Sequence, residues 1–352
     1  MIADRIDRLA LLRYTNLAWI IMTLALAMLT WTGRVTYWQI LLVSLLGASA
    51  LAFDNPTRQA LIPDLVPRPD LLSAISLNSV AFTGASLVGP ALAGLILRAF
   101  GDDLYRGAAV VFSLNAASYL AVLIPVLCWI RVPAHPRPAP PASVGADLLE
   151  GLRYVRTRRP LVLLLSLTAV TSVFGRSFSQ LMPVFARDVL HVDQAGLGLM
   201  YSAPGAGTLI GGAALAASGR PRSHRQLVAG ATAAFTLTIF GFALSRSYPL
   251  SLGLLFLTGL TSTVAGATIS TLLQAHAPRR LRGRVMSLWT LCMIGMGPLG
   301  ALLSGALATV IPAPLAVSLT AAVILVFLAG VVLTQPAWRE IEVPEARDAD
   351  EA

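Results

Sequence analysis

The residues best able to do chemistry in this sequence are charged side chains at the edges of long apolar runs. The segment Asp4–Arg8 brings two acids and two arginines together just before the first apolar run. An acid there is stabilised by the N-terminus of a neighbouring helix, and an arginine can pair with an acid at another helix end, for which Asp54 is the candidate. The pattern predicts ion pairs that form and break between helices. The residues concerned are Asp4, Arg5, Asp7, Arg8, Asp54 and Arg58.

Arg176 lies about 15 residues into an apolar run, roughly 22 Å along a helix. Charge inside a membrane helix is costly and usually faces a cavity, so Arg176 could bind an anionic substrate group or form an ion pair with a proton-carrying acid. An arginine can instead extend its head group to the outer membrane surface, and the sequence leaves both interpretations open. We find no Asp or Glu in the middle of a predicted span, so no residue is assigned to proton coupling.

Signatures of enzymes are absent from the sequence. It has no glycine loop ending in Gly-Lys-Ser or Gly-Lys-Thr and no His-Glu-x-x-His helix. The four histidines are far apart, and Cys128 and Cys292 lie in apolar runs without the spacing of metal ligands. We therefore predict that the chain is not an enzyme and that it binds no metal or other cofactor.

The composition is that of a membrane protein. Of the 352 residues, 56% are hydrophobic and only 12% are charged, about half the charged share of a soluble domain. The net charge of +9 could suggest nucleic-acid binding, but the basic residues lie in short loops between apolar runs rather than on one soluble face. The composition predicts a multi-pass membrane protein that binds no nucleic acid.

The apolar runs predict an all-α membrane protein with ten spans. Each crossing needs about 20 apolar helical residues, and the alternation typical of a strand barrel is missing. The predicted spans are Leu11–Trp31, Trp38–Phe53, Ile75–Phe100, Ala108–Ile130, Leu161–Val184, Leu197–Ser218, Leu227–Leu244, Leu250–Leu272, Val285–Ile311 and Leu315–Leu333. The second is short, and we expect it to extend past Asp54 toward Pro56.

The arginines predict the orientation of these spans, because basic loops stay in the cytoplasm. With the N-terminus inside, 20 arginines fall in inner segments and 5 in outer segments, and Arg176 is left within a span. This asymmetry predicts a plasma (inner) membrane protein with both termini in the cytoplasm.

The longest connection between runs divides the chain into two halves. Its first part is rich in Pro and Ala, and its second part, residues 146–159, mixes four apolar residues with four arginines. The second part fits either a short helix on the inner membrane surface or a solvated linker. The predicted domains are 1–130 with four spans, the cytoplasmic linker 131–160, 161–334 with six spans and the acidic cytoplasmic tail 335–352.

The two halves contain a repeat with an offset of 211 residues. Pro67–Arg68 aligns with Pro278–Arg279, and Gly89 aligns with Gly300. Both copies start on the inner side, so the halves are related by an axis along the membrane normal, as in the major facilitator architecture. Counting along the repeat, the first half lacks the counterparts of the fifth and sixth spans, and we expect a complete protein to be longer at its N-terminus by about that pair.

Several segments resemble those of major facilitator transporters, and more narrowly those of the bacterial branch that exports drugs and siderophores. The resemblance extends from residue 1 to about residue 335, without the first two helices of the family. The segments are Ala3–Arg8, Phe53–Ala60, Leu61–Pro67, Val88–Gly94, Met182–Leu190 and Leu281–Ser287.

The resemblance implies two pseudo-symmetric helical halves, with ten spans present of an expected twelve. It also implies a gate at Asp4–Arg8, whose ion pairs would hold the inner mouth closed; the same charges could instead be surface ion pairs that fix topology. A Gly-Pro element is expected in one helix, and small residues predict close helix packing and kinks. The residues assigned to packing and kinks are Gly89, Pro90, Gly94, Gly211 and Gly212.

Two functional interpretations stay open. The first is a monomeric, proton-coupled secondary exporter that moves small amphipathic molecules out through the lipid bilayer by alternating access. The second is a truncated membrane protein that inserts without transporting, as a fragment, scaffold or sensor. No motif indicates the identity of a substrate.

Overall fold

The computed structural model of the protein describes residues 8–130, 144–219 and 223–342. Within these ranges the chain is helical and contains no strand. The α-helices are α1 (Arg8–Trp31), α2 (Tyr37–Leu65), α3 (Leu71–Ala99), α4 (Leu104–Cys128), α5 (Val144–Thr157), α6 (Arg159–Phe174), α7 (Ser177–Val184), α8 (Gln194–Ala217), α9 (His224–Leu244), α10 (Tyr248–His276), α11 (Arg282–Thr290), α12 (Gly297–Val310) and α13 (Ala313–Thr334).

Two of the membrane helices are interrupted. α6 and α7 are separated by a turn at Gly175 and Arg176, and α7 ends in a π-helical turn, Phe185–Val189. α11 and α12 are joined through a second π-helical turn, Leu291–Gly295. π-helical turns inside longer helices often mark functional positions.

Eight helical stretches of the described residues are long and apolar enough to cross a membrane. They correspond to all the predicted spans except the second and the sixth. In α2 the apolar stretch Tyr37–Leu51 is too short to be counted, and the glycine-rich α8 is helical over 24 residues but is not among the eight. The all-helical membrane fold is thus established, whereas the count of ten spans is not.

The second predicted span is part of a longer helix. α2 continues past Asp54, as expected, and extends beyond Pro56 to Leu65. Asp54 therefore lies inside α2, beyond the apolar stretch Tyr37–Leu51.

The chain divides into two compact units. The first comprises residues 1–82 and 92–141, and the second comprises residues 83–91 and 142–352. In the first unit α1 packs against both α2 and α4. In the second unit α9 packs against α10 and α13, and α10 packs against α8.

Helix boundaries in the two units follow the 211-residue offset. Adding 211 to the bounds of α2, 37 and 65, gives 248 and 276, which are the bounds of α10. The same addition to the bounds of α3, 71 and 99, gives 282 and 310, where α11 begins and α12 ends. Backbone structure therefore repeats even where few side chains match.

The second unit has the larger apolar core. One cluster lies between Val155, Leu164, Leu273 and Trp338 and a second surrounds Phe185 and other aromatic residues. The segment after α13 belongs to this core: a 3₁₀ turn covers Pro336–Glu340, and Trp338 and Ile341 are buried. The predicted tail is thus folded as far as residue 342, and residues 343–352 lie outside the described part of the chain.

Candidate functional site

A cluster of buried polar residues joins α1 to α2 in the first unit. Asp54 is only 5% exposed. One carboxylate oxygen accepts hydrogen bonds from the Thr15 hydroxyl at 3.1 Å and from the Asn16 amide at 3.4 Å. The other oxygen accepts from Nε of Arg58, and a second nitrogen of Arg58 donates to the Asn16 side-chain carbonyl at 3.2 Å. The three side chains Asp54, Arg58 and Asn16 therefore form a closed ring of hydrogen bonds, which we call the Asp54 cluster.

Helical spacing explains how the sequence builds this ring. Asp54 and Arg58 are four residues apart on α2, so their side chains lie on the same face one turn apart. Thr15 and Asn16 follow Arg13 and Tyr14 on α1, and both turn toward α2. Asn16 also donates to the Leu12 carbonyl at 2.7 Å, which fixes its amide.

An aromatic residue fills the same seam one turn further along α1. The Trp19 ring stacks on Tyr119 of α4 with centroids 5.5 Å apart. It also covers Gly47 of α2, where a Cβ would lie 3.0 Å or less from the Trp19 ring. Gly47 thus leaves the space in which the ring sits between α1 and α2.

The electrostatics of the cluster follow from its burial. A buried carboxylate without a partner is strongly unfavourable, and Arg58 supplies the opposite charge while Asn16 and Thr15 fill the remaining hydrogen bonds. The Arg58 side chain is 36% exposed, so the cluster is closed on one side and reaches solvent on the other. The arrangement can hold α1 and α2 in one register.

The predicted pairing of Asp54 with the charged segment stays a prediction. Asp4, Arg5 and Asp7 lie outside the described residues, and Arg8 is described only as the first residue of α1. The partners of Asp54 that the structure places around it come from α1 and from its own helix. The sequence analysis missed Thr15 and Asn16, although the consecutive polar residues Arg13–Asn16 near the start of an apolar run were a usable signal.

Arg176 lies at the turn between α6 and α7, and not inside a continuous helix. Its side chain is exposed, whereas Gly175 and Ser177 on either side are buried. Ser177 is fixed by a 2.6 Å hydrogen bond between its hydroxyl and that of Thr320 on α13. The break therefore turns Arg176 away from the packed side of the helix, and both interpretations of its role remain predictions.

The glycines divide into those that allow close helix approach and those that do not. At Gly211 a Cβ would lie 2.7 Å from the Leu260 carbonyl oxygen, and Gly207 and Gly259 similarly meet backbone across the α8–α10 seam. Gly94 is buried in α3. At Gly89 and Gly212 a Cβ would meet nothing within 4 Å, so a role of these two glycines in packing or kinking stays a prediction.

Pro90 lies within α3, which continues unbroken from Leu71 to Ala99. The glycines that form the closest seam, Gly207 and Gly259, were partly missed. Residue spacing along one helix does not reveal which of its faces packs against a neighbouring helix. Gly207 and Gly211 lie on α8, whereas Gly259 lies on α10.

A comparison with known families shows which family the chain belongs to. The family described as transmembrane secretion effector matches residues 1–351. The chain belongs to this family of major facilitator proteins. The chain is 30% identical over 251 residues to the enterobactin exporter EntS of Shigella boydii, and the same identity is found with EntS of Escherichia coli. The match covers 70% of this chain and 57% of each relative, so the chain spans little more than half the length of these relatives.

Solved structures with similar folds are transporters. A bacterial homologue of the human lysosomal transporter Spinster in an inward-facing, unoccupied conformation superposes with a TM-score of 0.70 at 17% identity, covering 98% of this chain and 86% of that one. A variant of the peptide transporter POT gives 0.73 at 14% identity, with 96% and 81% covered. A D-xylose–proton symporter gives 0.70 at 10% identity, with 95% and 82% covered. These similarities establish the fold of the chain.

Proposed function

We propose that this protein is an exporter of the inner membrane that moves small amphipathic molecules outward by alternating access. The observation that carries the proposal is the family match over residues 1–351, on a fold whose helix bounds repeat at an offset of 211 residues. Repeated units related by an axis along the membrane normal suit a rocking motion about a central binding site.

The substrate class follows from the relatives. Similarity to enterobactin exporters supports a siderophore or a drug of comparable amphipathic character. Export against a gradient requires an energy source, and we propose a proton gradient. Arg176, exposed at the α6–α7 turn, is the candidate contact for an anionic substrate group or for the coupling acid.

The proposed topology has ten spans, with both termini in the cytoplasm and a monomer as the working unit. The charge asymmetry of the sequence supports this orientation, with 20 arginines in inner and 5 in outer segments. We propose the gate at Asp4, Arg5, Asp7 and Arg8, and the Asp54 cluster as the anchor that carries α1 with α2 as one body.

Transport is tested in everted membrane vesicles that contain the full chain. We expect accumulation of iron-free enterobactin, or of a fluorescent amphipathic drug, that depends on a proton gradient and is abolished by a protonophore. Accumulation equal to that of vesicles lacking the protein, for every compound of a siderophore and drug panel, would contradict the proposal.

The gate is tested with Asp4→Asn, which should lower the transport rate without lowering the amount of inserted protein. The matched control is Asp102→Asn, which removes an exposed acid between α3 and α4. Equal transport by the two variants would exclude the gating role.

The role of Arg176 is tested with Arg176→Ala against Arg246→Ala, which removes an exposed arginine between α9 and α10. A contact with substrate or with a proton carrier predicts altered substrate affinity or pH dependence for Arg176→Ala alone. Unchanged values would leave the arginine at the outer membrane surface.

A further inference from the structure

α5 (Val144–Thr157) lies where two membrane helices begin. Only Arg158 separates it from α6, and α6 starts the apolar stretch Arg159–Val189. α5 also packs on the start of α11, which opens the apolar stretch Arg282–Val310. Because both stretches enter the membrane at these ends, α5 is at the level of the lipid head groups.

One face of α5 is fixed to the protein. Glu150 forms an ion pair with Arg284, and the Arg280 guanidinium is 3.9 Å from the same carboxylate oxygen. A Cβ at Gly151 would lie 3.1 Å from the Cβ of Arg284, so α5 and α11 are in direct contact. Val155 is only 4% exposed and belongs to the apolar core of the second unit.

The opposite face carries leucine and arginine together. Leu149 is 49% exposed and Leu152 is 38% exposed. Arg153 and Arg156 are exposed beside them. At about 100° per residue these four side chains lie within an arc of roughly 100°, and within the described part of the chain neither arginine has an acidic partner.

The surroundings of this face add positive charge. Exposed arginines flank it up to the first residue of α6 and from the end of α10 to the first residue of α11, while Glu150 of α5 is already paired. These arginines are Arg158, Arg159, Arg279, Arg280 and Arg282.

We propose that the exposed face of α5 binds anionic phospholipids of the adjacent membrane leaflet. The leucines enter the boundary of the acyl chains, and the arginines contact the phosphate groups of the lipids. A basic residue near an anionic membrane surface contributes about 1 kcal/mol, which is a factor of about five in local lipid preference for each arginine. The proposal does not depend on whether the protein transports a substrate.

The test places a fluorophore on this face in the full chain. Leu152→Cys is labelled with bimane in a Cys128→Ser/Cys292→Ser background, and the protein is reconstituted in nanodiscs of phosphatidylcholine with one fifth phosphatidylglycerol. Brominated phosphatidylglycerol and brominated phosphatidylcholine are used in turn as quenchers. We expect phosphatidylglycerol to quench several times more strongly per molecule.

Variants then separate charge from packing. Arg153→Gln/Arg156→Gln should bring the quenching ratio of the two lipids close to one, and Arg153→Lys/Arg156→Lys should keep the preference. The control Arg34→Gln/Arg246→Gln makes the same charge change at exposed loop positions away from α5 and should leave the ratio unchanged.

Two results would overturn the proposal. Equal quenching by both lipids in the parent protein would show membrane contact without anionic preference. No quenching by either lipid would show that another surface, from this chain or from a second protein, covers the face. A monodisperse nanodisc peak for each variant shows that the labelled protein is folded.

Discussion

The α1–α2 seam of the first unit and the α9–α10 seam of the second are equivalent in the repeat, yet different chemistry holds each of them. The offset of 211 places Ala265 at the position of Asp54 and Ile269 at that of Arg58. Ala265 and Ile269 are buried apolar residues, whereas Asp54 and Arg58 form an ion pair. Charge in this seam is thus a property of one unit and not of the repeat.

The aromatic part of the seam differs in the same way. Trp19 covers Gly47 in the first unit, and the equivalent positions in the second unit are Gly230 and Thr258. Thr258 donates to the hydroxyl of Thr238 at 2.9 Å, so a neutral hydrogen bond joins α9 and α10. The backbone can repeat while the seam chemistry diverges, because helix position depends on total side-chain volume more than on side-chain identity.

The difference matters for how each seam can be broken. Removing one partner of a buried ion pair leaves an uncompensated charge, whereas trimming an apolar seam loses only contacts and surface burial. We therefore expect the first unit to respond sharply to single charge changes and the second unit to respond to changes of volume.

The largest effect is expected for Arg58→Met, which leaves the Asp54 carboxylate buried without its counter-charge. The free energy of unfolding should fall by about 3–5 kcal/mol. It can be measured by titrating the protein with dodecyl sulfate in mixed micelles and following tryptophan fluorescence. The control Ile269→Met, at the equivalent position, should cost less than about 1.5 kcal/mol. Equal losses in the two variants would remove the distinction between the seams.

A smaller loss is expected for Gly207→Leu in the second unit. A side chain at Gly207 would meet the Phe256 backbone, so α8 and α10 must separate, and overpacking of this kind costs about 1–3 kcal/mol. The matched change Gly212→Leu, where a Cβ meets nothing within 4 Å, should have little effect on the same unfolding curve. A Gly207→Leu protein as stable as the Gly212→Leu protein would show that the glycine seam is not needed.

More of the fold than of the contacts between α1 and α2 could be predicted from the sequence. The 211-residue offset, read from a few Pro, Arg and Gly matches, reappears in the bounds of α2 and α10. Apolar runs located eight of the ten predicted spans. They underestimated the inner end of α2, which was expected to extend past Asp54 toward Pro56 but continues to Leu65.

The candidate site was only partly predictable for a related reason. Asp54 and Arg58 were identified as charged residues, but their partner Asn16 is 38 residues away from Asp54 in the chain. Which residues pair across that distance depends on how α1 and α2 are oriented about their own axes. A local sequence pattern does not predict this orientation. The same kind of orientation decides that Gly211 packs against Leu260 while Gly212 faces open space.

A moderate effect is expected for Gly47→Ala in the first unit. The added methyl group would press on the Trp19 ring and move it against Tyr119, at a cost of about 1–2 kcal/mol. Gly84→Ala, where a Cβ meets nothing within 4 Å, should be neutral or slightly stabilising because alanine favours the helix. A shift in tryptophan fluorescence should accompany only the first change; its absence would argue against the Trp19 contact.

The smallest effect is expected at the end of the second unit where Glu342 closes the start of α9. Burial by itself would raise the pKa of Glu342, but hydrogen bonds from the Ser223 hydroxyl and the His224 backbone N–H hold the pKa below its ordinary value. A carboxyl group with a lowered pKa in the native state stabilises the fold above its unfolded pKa, and this stabilisation is lost as the pH falls through the native pKa.

Glu342→Gln should therefore lower the melting temperature slightly at pH 7, and the difference from the parent should shrink as the pH falls below about 4.5. Thermal unfolding in detergent from pH 7 to pH 3.5 measures both. A difference in melting temperature that grows toward low pH would contradict a lowered pKa of Glu342 in the native state.

The central claim, that a coupled ion pair fixes the α1–α2 seam, is tested most directly by a double-mutant cycle on Asp54→Leu and Arg58→Met. Each single change leaves one charge without its partner, whereas the double change removes both. The account predicts that the double variant is more stable than Arg58→Met alone, with a coupling energy of about 1–3 kcal/mol in the dodecyl sulfate titration. Strictly additive losses would contradict it.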